Sequence, residues 1–242
     1  MPVSEQLARR GFAVVNHHSD LLDDIPSREG TQNYLDETAD PREYRVLRKA
    51  IGASQVITWN STVRRNEPET VKTKDVPSQQ EPEKGFVPTS RLQPVAGVAH
   101  VDQDDVWGKQ LVTMAAGRSA DTFKRSQIIN VWRPLNGPVT NAPLAMLDYR
   151  SLGPGDMAKH GHMFGVGFDI HHSAGQSWSY IRHQQSDEII FLKCFDSMQG
   201  ADGSALYAGH VAVKVDGEEE GIASELIRPR ESIEVRLVAV WE

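Results

Sequence analysis

The chain has 242 residues, of which 39% are hydrophobic and 24% charged, with a formal net charge of −7. This describes a folded chain rather than a disordered one, and the length suits one large β domain over residues 1–242. An acidic balance without a basic, aromatic-interleaved patch argues against nucleic acid as a partner, and no stretch approaches the roughly 20 apolar residues of a membrane helix.

The N-terminal residues carry Glu5 and no apolar run, unlike a secretory signal. Residues 10–18 predict a short strand opened by Gly11. His17 and His18 end it, and neighbours on a strand face opposite ways, which disfavours their joint chelation of a metal. Residues 41–51 carry a helical stripe of Tyr44, Leu47 and Ile51, with Pro41 in the first turn and Gly52 as the stop. Residues 54–64 then alternate as a strand.

Residues 66–96 differ in kind, being rich in Glu, Lys, Pro, Gln and Ser without sustained apolar periodicity. They predict a mobile surface loop, with a lid as the alternative, since so long a loop is uncommon within a domain. Residues 104–117 predict a helix with Trp107, Leu111, Met114 and Ala115 on one side and Gly117 as its end. Strands follow at 128–132 and 144–149, then a Gly- and His-rich loop at about 153–175, then strands at 178–182, 188–195, 210–215 and 233–241. Short strands between turn residues indicate a mainly β fold with flanking helices, a sandwich or barrel. The only cysteine, Cys194, lies in the apolar run 189–195 and reads as a buried structural thiol. A chain with one cysteine forms no intrachain disulfide, which fits a reducing, cytoplasmic setting.

One stretch, residues 99–103, has the form of a metal site. In extended backbone, residues two apart share a side, so His100 and Asp102 offer an imidazole and a carboxylate together. A distant histidine would complete the facial triad of non-haem Fe(II) oxygenases, which leaves coordination positions open. His160, His162, His171, His172 and His183 lack informative neighbours, whereas His210 opens a strand with Ala212 and Lys214 on its face. Arg230 follows 20 residues later and shares a face with Ser232, opposite Ile233, Val235, Leu237 and Trp241. A guanidinium fork beside a hydroxyl suits the far carboxylate of a small diacid. The plainer alternative is a surface pairing of Arg230 with Glu231 or Glu234.

The segment 130–135, Asn-Val-Trp-Arg-Pro-Leu, followed by Pro143, Leu144 and Asp148, resembles the signature of hydroxylase/desaturases of fungal and bacterial secondary metabolism. Matching pieces lie at Gly11-Phe12, Arg64-Arg65, 100–103, 178–180, 194–197 and 230–236. The resemblance implies a double-stranded β-helix (jelly roll, cupin-like) and the use of Fe(II) and 2-oxoglutarate. It places iron on His100, Asp102 and His210, the 2-oxoglutarate carboxylate on Arg230 and Ser232, and a cosubstrate contact on Asn130. It also implies a small-molecule substrate, O2, and a hydroxylation or desaturation outcome. Trp178 and Tyr180 share a face and would line the substrate pocket or pack in the core. Members of this group carry more sequence before the Gly-Phe motif, which here stands at position 11, so a partner subunit that completes the pocket, or a homodimer, fits the sequence. Two alternatives stay open: a barrel partner of a two-component oxygenase, and a cupin-like metal hydrolase or isomerase.

Overall fold

Alternating strands with one apolar face bury that face only by stacking, and here they stack as two antiparallel sheets. The computed structural model describes residues 1–20, 22, 42–66, 87–88, 95–162 and 165–242. The larger sheet has the order β1 (Phe12–Asn16), β10 (Glu188–Asp196), β5 (Arg125–Pro134), β12 (Glu231–Trp241), β2 (Gln55–Arg65) and β3 (Val87–Pro88). The smaller has the order β7 (Met157–His162), β8 (Gly165–Ile170), β4 (His100–Val101), β11 (His210–Ala212), β6 (Leu144–Leu147) and β9 (Trp178–Ser179). Among the described residues only the short β2–β3 pairing is parallel. The mainly β jelly-roll expectation therefore holds.

Register sorts the larger sheet into two faces. Ile233, Val235 and Leu237 point outward with Ile129, Val131, Ile189 and Phe191, and Leu7 and Leu47 cover them from helices α1 (Val3–Arg10) and α2 (Arg42–Ile51). The inward face offers Trp132, Ile190 and Leu192, which meet Leu144 and Met146 of the smaller sheet. Helix α3 (Asp105–Ala116) closes one end, packing Leu111 and Val112 on Ile128, Val238 and Val240. Asp104 caps α3, its Oδ1 accepting from the Trp107 N–H at 2.8 Å, and Gly117 ends it in the left-handed region.

Several expectations need correction. Residue 10 ends a helix rather than opening a strand; α1 buries only Leu7 and has too few turns to show a stripe. Gly11 is its left-handed C-cap. The Gly- and His-rich stretch 153–175 is largely the β7–β8 hairpin, not a loop, and one of its glycines, Gly167, sits where the Val101–Asp102 backbone comes close. On α3 the buried residues are Gly108, Leu111 and Val112, while Met114 is exposed. β4, β9 and β11 are shorter than their patterns suggest, and Asp102 lies just beyond β4. Pro41 and most of residues 66–96 lie outside the described residues.

Candidate metal centre

β11 pairs with β4 so that His210 stands directly opposite His100. Their rings lie 4.4 Å apart between centroids. The next residue after β4 that shares His100's direction is Asp102, held in a short link to α3. That link is pinned on both sides: His100 and Val101 pair with β8, and Asp104 N–H donates to the Val166 carbonyl at 2.7 Å. Lys159 of β7 adds an ion pair to the Asp104 carboxylate at 2.9 Å. The result brings His100, Asp102 and His210 together, one ligand atom from each lying within 4.8 Å of the others.

The histidines are oriented for ligation. His100 Nδ1 lies 2.7 Å from the Val98 carbonyl and His210 Nδ1 lies 3.2 Å from that of Ala208. A ring that donates Nδ1–H to a carbonyl presents Nε2 as a lone pair. Both Nε2 atoms face Asp102 Oδ1, at 3.3 and 3.9 Å. Burial, reinforced by the neighbouring His100, pushes the His210 pKa down and keeps that ring neutral, as a metal requires. Burial also opposes charge on His100, but Asp102 and the Val98 carbonyl outweigh it and raise its pKa. For Asp102 burial opposes ionisation, yet the two histidines and Arg236 hold the carboxyl well below its usual range.

The inward face of β12 meets the triad through Arg236, whose Nε lies 3.8 Å from Asp102 Oδ2. Ser232 faces Arg64 of β2, Glu234 faces Thr62 and Trp132, and Arg236 faces Asn60 and Asn130. Arg230, just before the strand, is 2% exposed. It donates through Nη1 to the Ala142 carbonyl and lies over the Trp132 ring. The surface pairing does not occur: Glu231 pairs with Arg65 at 2.6 Å. Arg230 Nε and Ser232 Oγ are buried without a hydrogen-bond partner among the described residues. Burial and the nearby Arg64 push the Arg230 pKa down to about 9, partly offset by Glu234, so it stays cationic at neutral pH. Buried donors without acceptors fit an anionic ligand.

Asn130 donates from Nδ2 to Asp102 Oδ2 at 2.7 Å, while its Oδ1 lacks a partner among the described residues. The other histidines stand elsewhere: His17 against Arg133, His160 against Asp169 and His183 on the Glu218 carbonyl. Trp178 packs on the outward face of the smaller sheet with Val101, Leu147 and Ile170, and the Tyr180 hydroxyl donates to Glu218. Neither aromatic joins the triad. Sequence reading missed Arg64, Glu234 and Arg236; extending the Arg230–Ser232 alternation two and four residues further would have found the last two. Cys194 is fully buried, and burial with Asp102 beside it raises its pKa well above the ordinary thiol value, which suits a structural role.

The profile of a family described as oxidoreductase/YMDC permease-like domain matches residues 3–240. Aspirochlorine biosynthesis protein N of Aspergillus oryzae is 34% identical over 124 residues, 49% of each chain. Hydroxylase/desaturase asaB of Aspergillus flavus is 32% identical over 163 residues, covering 60% of this chain and 67% of that one. The Fe(II)/2-oxoglutarate-dependent dioxygenase nvfI of Aspergillus novofumigatus is 29% identical over 151 residues, covering 58% and 51%. The match thus spans about half the length of the first and third of these relatives. In three dimensions the chain is similar to the iron and alpha-ketoglutarate-dependent endoperoxidase NvfI, with a TM-score of 0.74 at 22% identity, covering 97% of this chain and 80% of that one. From residue 3 to residue 240, the chain belongs to the oxidoreductase/YMDC permease-like domain family, alongside fungal hydroxylase/desaturases and Fe(II)/2-oxoglutarate-dependent dioxygenases.

Proposed function

We propose that this protein is an Fe(II)- and 2-oxoglutarate-dependent dioxygenase that hydroxylates or desaturates a small-molecule substrate, acting as one jelly-roll domain in the cytoplasm. The observation that carries the reading is the convergence of two imidazoles and one carboxylate, together with a buried Arg230–Ser232 pair with unpartnered donors at the head of β12. Two imidazole Nε2 atoms and one carboxylate oxygen are the donor set of a facial Fe(II) site. Bound there with 2-oxoglutarate and O2, iron supplies oxidative decarboxylation to succinate and CO2 coupled to removal of hydrogen from a substrate C–H bond.

The chain's own residues do the arranging. His100, Asp102 and His210 bind from one side and leave the opposite side to ligands. Arg230 and Ser232 take the distal carboxylate of 2-oxoglutarate, filling the hydrogen-bonding capacity that the fold leaves open there. Asn130 serves the cosubstrate indirectly, through the hydrogen bond that its Nδ2 donates to Asp102. Trp132 and Met146 wall the interior and keep bulk water from it. A metal hydrolase or isomerase would have no use for the Arg230–Ser232 pair. Among the described residues no helix is long and apolar enough to cross a membrane. The cytoplasmic setting rests on the single, buried Cys194.

The test is stoichiometric. Purified protein given Fe(II), 2-oxoglutarate and O2 should release succinate, slowly without substrate and faster with an accepted one. Succinate release that persists undiminished in His210→Ala, or never exceeds a protein-free control, would contradict the proposal.

A further inference from the structure

Asp102 has two carboxylate oxygens in different surroundings. Oδ1 faces the histidine Nε2 atoms at 3.3 and 3.9 Å. Oδ2 is turned the other way and accepts from Asn130 Nδ2 at 2.7 Å, with Cys194 Sγ at 3.6 Å and Arg236 Nε at 3.8 Å. Asn130 and Arg236 are cross-strand partners on β5 and β12, in the larger sheet, whereas Asp102 follows a strand of the smaller one. The contact therefore reaches across the interior and ties the two sheets together at the metal centre.

We infer that Asn130 and Arg236 are positioning residues that restrict Asp102 to one ligating oxygen. The inference rests on the reading of His100, Asp102 and His210 as an iron site. Neither residue is free to drift. Arg236 Nη1 donates to Asn60 Oδ1 at 3.2 Å and Thr62 Oγ1 at 3.1 Å, and Nη2 pairs with Glu234. Asn130 is fully buried, and its side chain makes one hydrogen bond among the described residues, the one to Asp102. Carrying an amide into the core for a single bond gains the fold little, since leaving its Oδ1 unpaired offsets what the bond contributes. Its position is explained by what it does to Asp102. An untethered carboxylate can rotate and bind a metal through both oxygens, which would occupy a position that 2-oxoglutarate needs. With Oδ2 held by Asn130 and Arg236, only Oδ1 is presented.

The experiment uses Co(II) as an optical probe of the site, with 2-oxoglutarate binding measured by titration on the Co(II)-loaded protein. Asn130→Ala should still take up Co(II) but show an altered ligand-field spectrum before any 2-oxoglutarate is added. It should then bind 2-oxoglutarate about tenfold or more weakly, in the range expected when a partner of a metal ligand is removed. Arg230→Ala should weaken 2-oxoglutarate too, with the cosubstrate-free Co(II) spectrum unchanged. That split separates a residue that acts through Asp102 from one that touches the cosubstrate. Arg236→Lys, which keeps the charge, should move the spectrum in the same direction by less, and it carries the test if Asn130→Ala does not fold. A wild-type-like spectrum and 2-oxoglutarate affinity in the folded variant would overturn the clamp alone. Wild-type protein that takes up no Co(II) would overturn the metal site and the clamp with it.

Discussion

Arg230 sits in a place that is electrostatically uncomfortable without a ligand. It is buried, it is close enough to Arg64 to be disfavoured by it, and its Nε and the neighbouring Ser232 Oγ lack partners among the described residues. A dianion placed there would relieve the strain that burial puts on the guanidinium. Charge-assisted hydrogen bonds contribute about 1.5–3 kcal/mol, so Arg230→Met should raise the 2-oxoglutarate dissociation constant by about 10- to 100-fold. Calorimetric titration with Fe(II) and with 2-oxoglutarate separately checks this, and iron affinity should stay within about twofold of wild type. At this scale the sequence was informative where spacing decides contact. His100 and Asp102 are two residues apart, as are Arg230 and Ser232, and extended backbone alone puts each pair on one side. Asn130 against Asp102 was not legible as a contact, because it depends on how one sheet lies over the other.

The strands hold the site through two local devices. In β8, a Cβ added to Gly167 would lie 2.4 Å from the Val101 carbonyl oxygen and 2.9 Å from that of Asp102. Backbone cannot yield there as a flexible side chain would, so Gly167→Ala should cost about 1–3 kcal/mol as overpacking. It should also weaken Fe(II) uptake by displacing the link that carries Asp102. Gly155→Ala, which meets nothing within 4 Å, is the control, and urea unfolding with metal titration reads both. The second device ties β5 to β10 next to a register shift. Asp196 accepts from Arg125 at 3.0 and 2.6 Å, from Gln127 at 2.7 Å and from Lys193 at 2.9 Å. Burial opposes its charge, but Arg125 and Lys193 outweigh it and hold the carboxyl below its usual value. A folded pKa below the unfolded one stabilises the protein above about pH 4, and that contribution is lost as pH falls through the folded value. Asp196→Asn should therefore destabilise by about 3–5 kcal/mol at pH 7 by leaving the buried Lys193 ammonium without its carboxylate. The gap from wild type should narrow at pH 3; an equal gap at both would count against the assignment. The β7–β8 hairpin shows why some elements escaped sequence reading: a glycine required by a neighbouring backbone looks, in sequence, like a loop glycine.

At the scale of the whole molecule, ligand residues come from both ends of a long stretch of chain, so metal binding and folding are linked. Fe(II) at about 100 times its dissociation constant should add about 2.7 kcal/mol. For a chain of this size that raises the melting temperature by about 5–10 °C, read by anaerobic calorimetry. A chelator should reverse the rise, and His210→Ala should abolish it. Strand alternation made the mainly β architecture legible, and the Ile233–Val235–Leu237 stripe marked the outward face correctly. What it could not give was strand order. His210 faces His100 because β11 inserts between β4 and β6, a pairing between distant segments that no local periodicity encodes. The most direct measurement of the central claim is optical: anaerobic protein with Fe(II) and 2-oxoglutarate, scanned for a metal-to-ligand charge-transfer band. The wild-type protein should show the band and His210→Ala should not; a wild type without the band, or a variant that keeps it unchanged, would contradict the assignment of His100, Asp102 and His210 as the iron site.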